Sequence, residues 1–212
     1  MTPRLFTCRW LIAGALSLCI GTPALAEGLT LRSGKYEQLL LAVTPEGQIE
    51  GFYAEERGTG TTFSCAFYLQ GKVESGKAST VSSWLDEVYP GTVEPSIDGV
   101  VLTIDGVVLT IEQGQQHPGC MNVLMPDIST GLDLSRTASK KWIGLVTVAV
   151  DKAWLQKTPD ARSTRGAYIV KGDVVGVLAF KDGAAKVEFV DGDNRSFMGW
   201  IGPDQYARVK RP

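Results

Sequence analysis

The chain has 212 residues, with 21 Lys and Arg against 23 Asp and Glu, a single His, and 44% hydrophobic side chains. This mildly acidic balance leaves no surplus of cations for gripping a phosphate backbone, so DNA and RNA are not expected partners. The length suits one domain or two small ones.

The first residues read as an address. Arg4 and Arg9 precede an apolar run at 10–20, followed by Gly21-Thr22-Pro23-Ala24-Leu25-Ala26-Glu27. The run is too short to cross a bilayer, and Ala24 and Ala26 form the small-residue pattern of a cleavage site. Residues 1–26 are therefore read as a signal peptide cleaved near Ala26, which predicts a periplasmic or secreted protein with no membrane span. Cys19 follows Leu16-Ser17-Leu18, without the small residue expected just before a lipidated cysteine. Cys8 and Cys19 leave with the leader, and the remainder carries nineteen bases against twenty-three acids.

Cys65 and Cys120 remain, an even pair suited to an oxidising compartment. A disulfide between them would close a long loop, worth about 4 kcal/mol in the chain-entropy model. The competing readings are two free thiols or half of a metal site. Only His117 could join them as a third soft ligand, and that set makes a poor structural zinc site. No metal and no cofactor are expected.

Apolar runs downstream of the leader are short, rich in Val, Ile, Phe and Tyr, and bounded by Gly, Pro, Asp or Asn, which predicts an all-β fold. Strands are expected at 36–43 and 48–55, around the turn Pro45-Glu46-Gly47. At 62–70, Phe63, Cys65, Phe67 and Leu69 alternate with Thr62, Ser64, Ala66, Tyr68 and Gln70, which puts Cys65 on the buried face. The heptapeptide IDGVVLT occurs at 97–103 and again at 104–110. With Asp105-Gly106 as a two-residue turn, the copies form a hairpin with one wholly apolar face: Val100, Leu102, Ile104, Val107, Leu109 and Ile111. Two copies are too few for a solenoid, so the repeat is read as core. Trp84 and Tyr89-Pro90-Gly91 are placed at a rim or on a short connection. Residues 126–141 are polar, and a domain boundary is expected there near Ser139. The expected order is a small antiparallel β-barrel or sandwich at 27–138, then a second small barrel at 139–212.

In the second part, Lys181-Asp182-Gly183 and Asp191-Gly192-Asp193-Asn194 read as hairpin turns between five short strands. Val187 and Phe189 are expected to point in, and Lys186 and Glu188 out. Trp154 with Pro159, the run Ala167-Tyr168-Ile169-Val170-Lys171-Gly172-Asp173 with Val175, Lys186-Val187-Glu188-Phe189, and Gly199-Trp200-Ile201 together resemble the bacterial SH3-like (SH3b-type) domains appended to exported proteins. The resemblance covers about sixty residues and implies a small barrel that binds a peptide or the cell wall. The chain departs from that pattern at Ala184-Ala185, where such domains carry a Trp. Trp154, Tyr168, Trp200 and Tyr206 are the candidate binding residues, lining one shallow aromatic groove. The alternative is that Tyr168 and Trp200 fill the barrel core or cover its seam.

No Gly-x-Ser-x-Gly elbow, Walker loop, zincin motif or dinucleotide fingerprint occurs. His117 lies among turn residues and reads as a surface side chain. The acid pairs Glu55-Glu56 and Asp86-Glu87 cannot each form a glycosidase site, because adjacent strand residues face opposite ways. The segment 191–194 lacks the downstream Glu of a calcium loop. The expected function is a non-enzymatic periplasmic binding protein whose partner is a cell-wall peptide or glycan or a periplasmic protein. The alternatives are an inhibitor or immunity protein that neutralises a wall-degrading enzyme and, third, a carboxylate-dependent hydrolase.

Overall fold

Eight strands follow one another, each antiparallel to the next: β1 (Gly34–Tyr36), β2 (Leu39–Val43), β3 (Gln48–Arg57), β4 (Phe63–Glu74), β5 (Ala78–Trp84), β6 (Val88–Ile97), β7 (Ile104–Ile111) and β8 (Leu132–Ser139). β8 pairs back onto β1, so the sheet closes into an up-and-down barrel with no open edge. The structure is a computed structural model describing residues 30–74, 78–97, 104–124 and 126–209. The leader expected at 1–26 and most of the first repeat copy, 98–103, lie outside the described residues.

Alternation fills the barrel. Leu39, Leu41, Ile49, Tyr53, Phe67, Leu69, Leu109 and Ile111 point inward and are fully buried. Tyr53 stacks on Phe67 at 5.0 Å between ring centroids, and Phe67 stacks on His117 at 4.9 Å. Gly71 and Gly91 flank Val81 on neighbouring strands, and a Cβ at either would lie 2.2 or 2.1 Å from a carbonyl oxygen of the adjoining strand. Only glycine lets the strands coil that closely. Three short 3-10 turns, Gly114–Gln116, Cys120–Asn122 and Pro126–Ser129, lay Cys120, Val123, Leu124 and Ile128 into the same core.

Several local expectations are corrected. The predicted strand at 36–43 is two strands, because the chain reverses at Glu37-Gln38. Glu37 takes a left-handed φ of 48°, and its carboxylate accepts the Ser135 N–H of β8. Asp105-Gly106 is not a turn: β7 runs straight through it, with Gly106 opposite Ser96 on one side and Ser135 on the other. A type I′ turn needs positive φ at both central residues, and neither has it. Val107, Leu109 and Ile111 are nonetheless buried as the alternation requires. Tyr89-Pro90-Gly91 lies within β6 rather than on a connection. Pro90 is tolerated because its carbonyl accepts the Glu112 N–H just past the end of β7, so its missing donor falls beyond that strand. Much of the polar stretch at 126–141 is β8 itself, with Leu134 as its buried residue.

The remaining strands are β9 (Gly144–Val148), β10 (Lys152–Trp154), β11 (Tyr168–Val170), β12 (Val174–Lys181), β13 (Ala184–Val190), β14 (Ser196–Ile201) and β15 (Tyr206–Arg208). Five form a sheet in the order β14-β13-β12-β9-β15, while β10 and β11 form a two-stranded sheet. The turn between β12 and β13 has Asp182 at φ 50° and Gly183 at φ 81°, as a type I′ reversal requires. One sheet face packs Val146, Val148, Val175, Val177, Ala185, Val187 and Ile201 against Ala153 and Ile169.

The opposite face covers the outside of the barrel. Trp142, Leu145, Val174 and Val209 pack with Ala42 and Trp84, and with the half-buried Leu40, Phe52 and Tyr68. Polar bonds pin this seam: Leu145 N–H to Glu50 Oε2 at 2.6 Å, Ser33 Oγ to the Trp142 carbonyl at 2.7 Å, and Lys35 Nζ to Asn194 Oδ1 at 3.0 Å. Glu188, expected to point to solvent, is buried here. It accepts Trp142 Nε1–H at 2.7 Å and Lys140 Nζ at 2.6 Å. Burial pushes its carboxyl up, but these bonds and the Lys140 charge outweigh that and hold it below the usual carboxylate range.

The Trp142 indole lies directly on the backbone of Gly176, where a Cβ would fall 2.2 Å from the ring. Gly176→Ala is therefore expected to cost about 1–3 kcal/mol through overpacking. A urea midpoint indistinguishable from wild type would show that the ring is not pinned there.

Candidate binding face

β10 and β11 pair Lys152 with Val170, Ala153 with Ile169, and Trp154 with Tyr168. Ala153 and Ile169 point into the core, so Lys152, Trp154, Tyr168 and Val170 share the outward face. Tyr168 and Val170 are 45% and 42% exposed. The Trp154 and Tyr168 rings meet edge to face at 5.0 Å, and Lys152 Nζ lies 4.7 Å from the Tyr168 ring centroid. Beyond Tyr168 a hollow of about 250 Å³ is lined by Gly166, Ala167, Tyr168, Phe189 and Phe197.

The Gln156 side chain clasps the loop between these strands. The Gln156 amide donates to the Ser163 carbonyl at 2.7 Å and accepts the Ser163 N–H at 2.9 Å. Its backbone bridges to Trp200 on β14. The run Tyr168-Ile169-Val170-Lys171-Gly172-Asp173 has a local logic as well. Gly172 takes φ 92°, and the Asp173 carboxylate accepts the Val170 N–H at 2.8 Å, closing the turn into β12.

Of the four candidate aromatics, only Trp154 and Tyr168 come together. Trp200 stands opposite Lys186, whereas Tyr206 stands opposite Val148, which belongs to the core on the other side of the sheet. Opposed residues share a face, so the sheet itself separates Trp200 from Tyr206 and the four-residue groove does not form. Tyr206 instead donates its hydroxyl to the Gly183 carbonyl and packs near Phe180. The sequence reading missed Lys152, Phe189 and Phe197. The alternation Lys-Ala-Trp marked Lys152 as a neighbour of Trp154, but the pairing of Phe189 with Phe197 was invisible without the register of β13 and β14.

Cys65 and Cys120 form the disulfide, with Cα atoms 4.4 Å apart. This bridge is compatible with an oxidising, exported location. His117 is not a surface residue: it is 2% exposed, stacked on Phe67 and met edge-on by Tyr89. Its Nε2 lies 2.9 Å from Ser83 Oγ, which also reaches the Tyr89 carbonyl at 3.3 Å. Among the described residues Nδ1 has no partner. A bare ring nitrogen is cheaper to leave unpaired than an N–H, so the favoured tautomer carries its proton on Nε2, with Ser83 passing its own to Tyr89.

One acid of each pair is engaged locally. Glu55 accepts from the Tyr53 hydroxyl and from Arg57, and Glu87 accepts the Tyr89 hydroxyl. Asp191 accepts the N–H groups of Asp193 and Arg195 and pairs with the Arg195 guanidinium. Among the described residues no group of three or more His, Cys, Asp or Glu could hold a metal ion, and no helix is long and apolar enough to cross a membrane.

Fold and face together define an all-β protein: a disulfide-latched eight-stranded barrel packed against a five-stranded sheet, over which β10 and β11 present the exposed Tyr168 and Val170. No protein-family model matches the chain, and neither a curated protein nor a solved structure matches it.

Burial lowers the His117 pKa below its ordinary 6.5, against the opposing pull of Glu87 and Asp86. The unfolded chain then takes up the proton first. Stability should be level above about pH 6.5 and fall as pH drops below it, by up to about 1.4 kcal/mol per pH unit. His117→Gln, which keeps a partner for Ser83, is expected to flatten that slope. Urea unfolding between pH 5 and 8 measures both, and identical pH dependence in the two proteins would contradict the assignment.

Proposed function

We propose that this is an exported, non-enzymatic binding protein. In this reading residues 139–212 form an SH3-like module that engages a peptide, the cell wall or another protein, and the barrel at 27–138 is its rigid seat. The observation that carries it is the outward face of β10 and β11, where the half-buried Trp154 and the exposed Tyr168 and Val170 stand side by side with no other element over them among the described residues. Aromatic side chains left in that position offer large contact area at low conformational cost, which is how binding surfaces differ from ordinary ones. The motif at 168–173, the type I′ turn at 182–183 and the Gly199-Trp200-Ile201 strand support the SH3-like reading. Ala184 and Ala185 are both buried in the sheet, so the absence of a Trp there removes no part of this face.

The test is retention on purified peptidoglycan sacculi together with stoichiometric co-purification from an envelope extract. Trp154→Ala/Tyr168→Ala is expected to lose whichever interaction wild type shows, by about 30-fold or more, with an unchanged melting temperature. Tyr206→Phe, whose hydroxyl is turned to the Gly183 carbonyl and away from this pair, should keep it. Undiminished binding by the double variant would sink the reading.

A further inference from the structure

Charge is divided unevenly along the chain. Residues 27–139 hold six Lys and Arg against fifteen Asp and Glu, while residues 140–212 hold thirteen against eight. The cations concentrate where the aromatic face lies. Between 152 and 171 there are Lys152, Lys157, Arg162, Arg165 and Lys171, with Asp160 as the sole acid. All five cations are exposed. Lys152 rests on the Tyr168 ring, and Arg162 donates to the Pro159 and Ala161 carbonyls of its own loop. Asp151 and Asp160 are exposed beside these cations, Asp173 holds the Val170 N–H, and Asp204 lines the hollow that Arg162 shares with Trp154. An acidic chain thus carries five exposed cations on and beside the strands that present this aromatic face.

We propose that the partner of this face is an acidic polypeptide segment, whose carboxylates meet Lys152, Arg165 and Lys171 while an apolar side chain enters the hollow between Tyr168 and Phe197. This rests on the binding-face reading above and names its partner class. Three observations favour a polypeptide over a charged glycan or a lipid surface. The Tyr168 ring is already covered by Lys152, which leaves that face unavailable for stacking a sugar and holds the ammonium in place for a carboxylate. Trp, Tyr and Arg, the residues gathered here, are those that dominate protein–protein contacts. Finally, β14 has backbone to offer. Trp200 exchanges both its N–H and C=O with Gln156, so two residues earlier Met198 also turns its N–H and C=O away from β13, and among the described residues no strand pairs with it there. Met198 is 59% exposed, and an extended chain could add to that edge beside the hollow.

The probe is a fluorescein-labelled twelve-residue peptide of alternating Glu and Val, measured by anisotropy at 50 mM NaCl against its Gln-for-Glu counterpart. Polygalacturonate and vesicles of phosphatidylcholine with phosphatidylglycerol serve as competitors. The acidic peptide is expected to bind at least tenfold tighter than the Gln peptide and to weaken about tenfold at 500 mM NaCl, as screened charges do. Lys152→Gln/Arg165→Gln/Lys171→Gln, three exposed positions whose replacement leaves the melting temperature unchanged, should lose about tenfold. Equal binding of both peptides, with loss in Trp154→Ala/Tyr168→Ala, would overturn the acidic partner while leaving the face intact. Tighter binding of polygalacturonate or the vesicles than of the acidic peptide would overturn the partner class. Failure to bind any probe would overturn the inference, and the sacculus and co-purification assays would then judge the face independently.

Discussion

The arrangement depends on a short connector buried between two β structures. Lys140 and Trp142 leave the last barrel strand and are caught by the five-stranded sheet: the indole lies flat on Gly176, its N–H reaches Glu188, and the Lys140 ammonium completes that carboxylate's shell. A carboxylate in such a place is costly unless its oxygens are filled, so each of these partners is needed by the others. Leu145 then follows at once, donating to the buried Glu50 of the barrel. Burial drives that second carboxyl upward, and the Leu145 N–H only partly draws it back. The orientation of the sheet, and thus which face is spent on the barrel, follows from this small set of contacts.

With one sheet face committed to the barrel, the other must be covered by something else. The hairpin-like pair β10 and β11 does so with Ala153 and Ile169, leaving its outer side chains without cover. The barrel makes no comparable demand. Its interior is filled by Tyr53, Phe67 and His117 in a stack, and the disulfide fastens the three 3-10 turns to β4 at one end. Aromatic side chains therefore fill the barrel interior and its seam with the sheet, while Tyr168 and Phe197 stand exposed beyond it.

Patterns that depend on near neighbours were legible in the sequence. The alternation through Cys65, Phe67 and Leu69 put the disulfide on the buried side, and Asp182-Gly183 reversed the chain where turn chemistry said it would. What failed was non-local. Glu37-Gln38 has no turn signature, and its left-handed residue is supported by a hydrogen bond from β8, nearly a hundred residues away. Asp105-Gly106 has the strongest hairpin signature in the chain, yet pairing with β6 and β8 on both sides held it extended. His117 sits among turn residues and is buried because the whole turn folds over the barrel end. Glu188 alternates outward as expected but meets the connector there, and Trp200 and Tyr206 were parted because a sequence does not say which sheet face is which.

Closure of the barrel by β1 against β8 also sets its first and last residues side by side, with Gly34 opposite Ser139 and Ser33 bonded to the Trp142 carbonyl. The chain thus enters and leaves the barrel at one corner. Tension on the C-terminal sheet, such as a tethered partner would exert, therefore enters the chain of the barrel at that corner, where the seam of Trp142, Leu145, Ala42 and Trp84 shares the load.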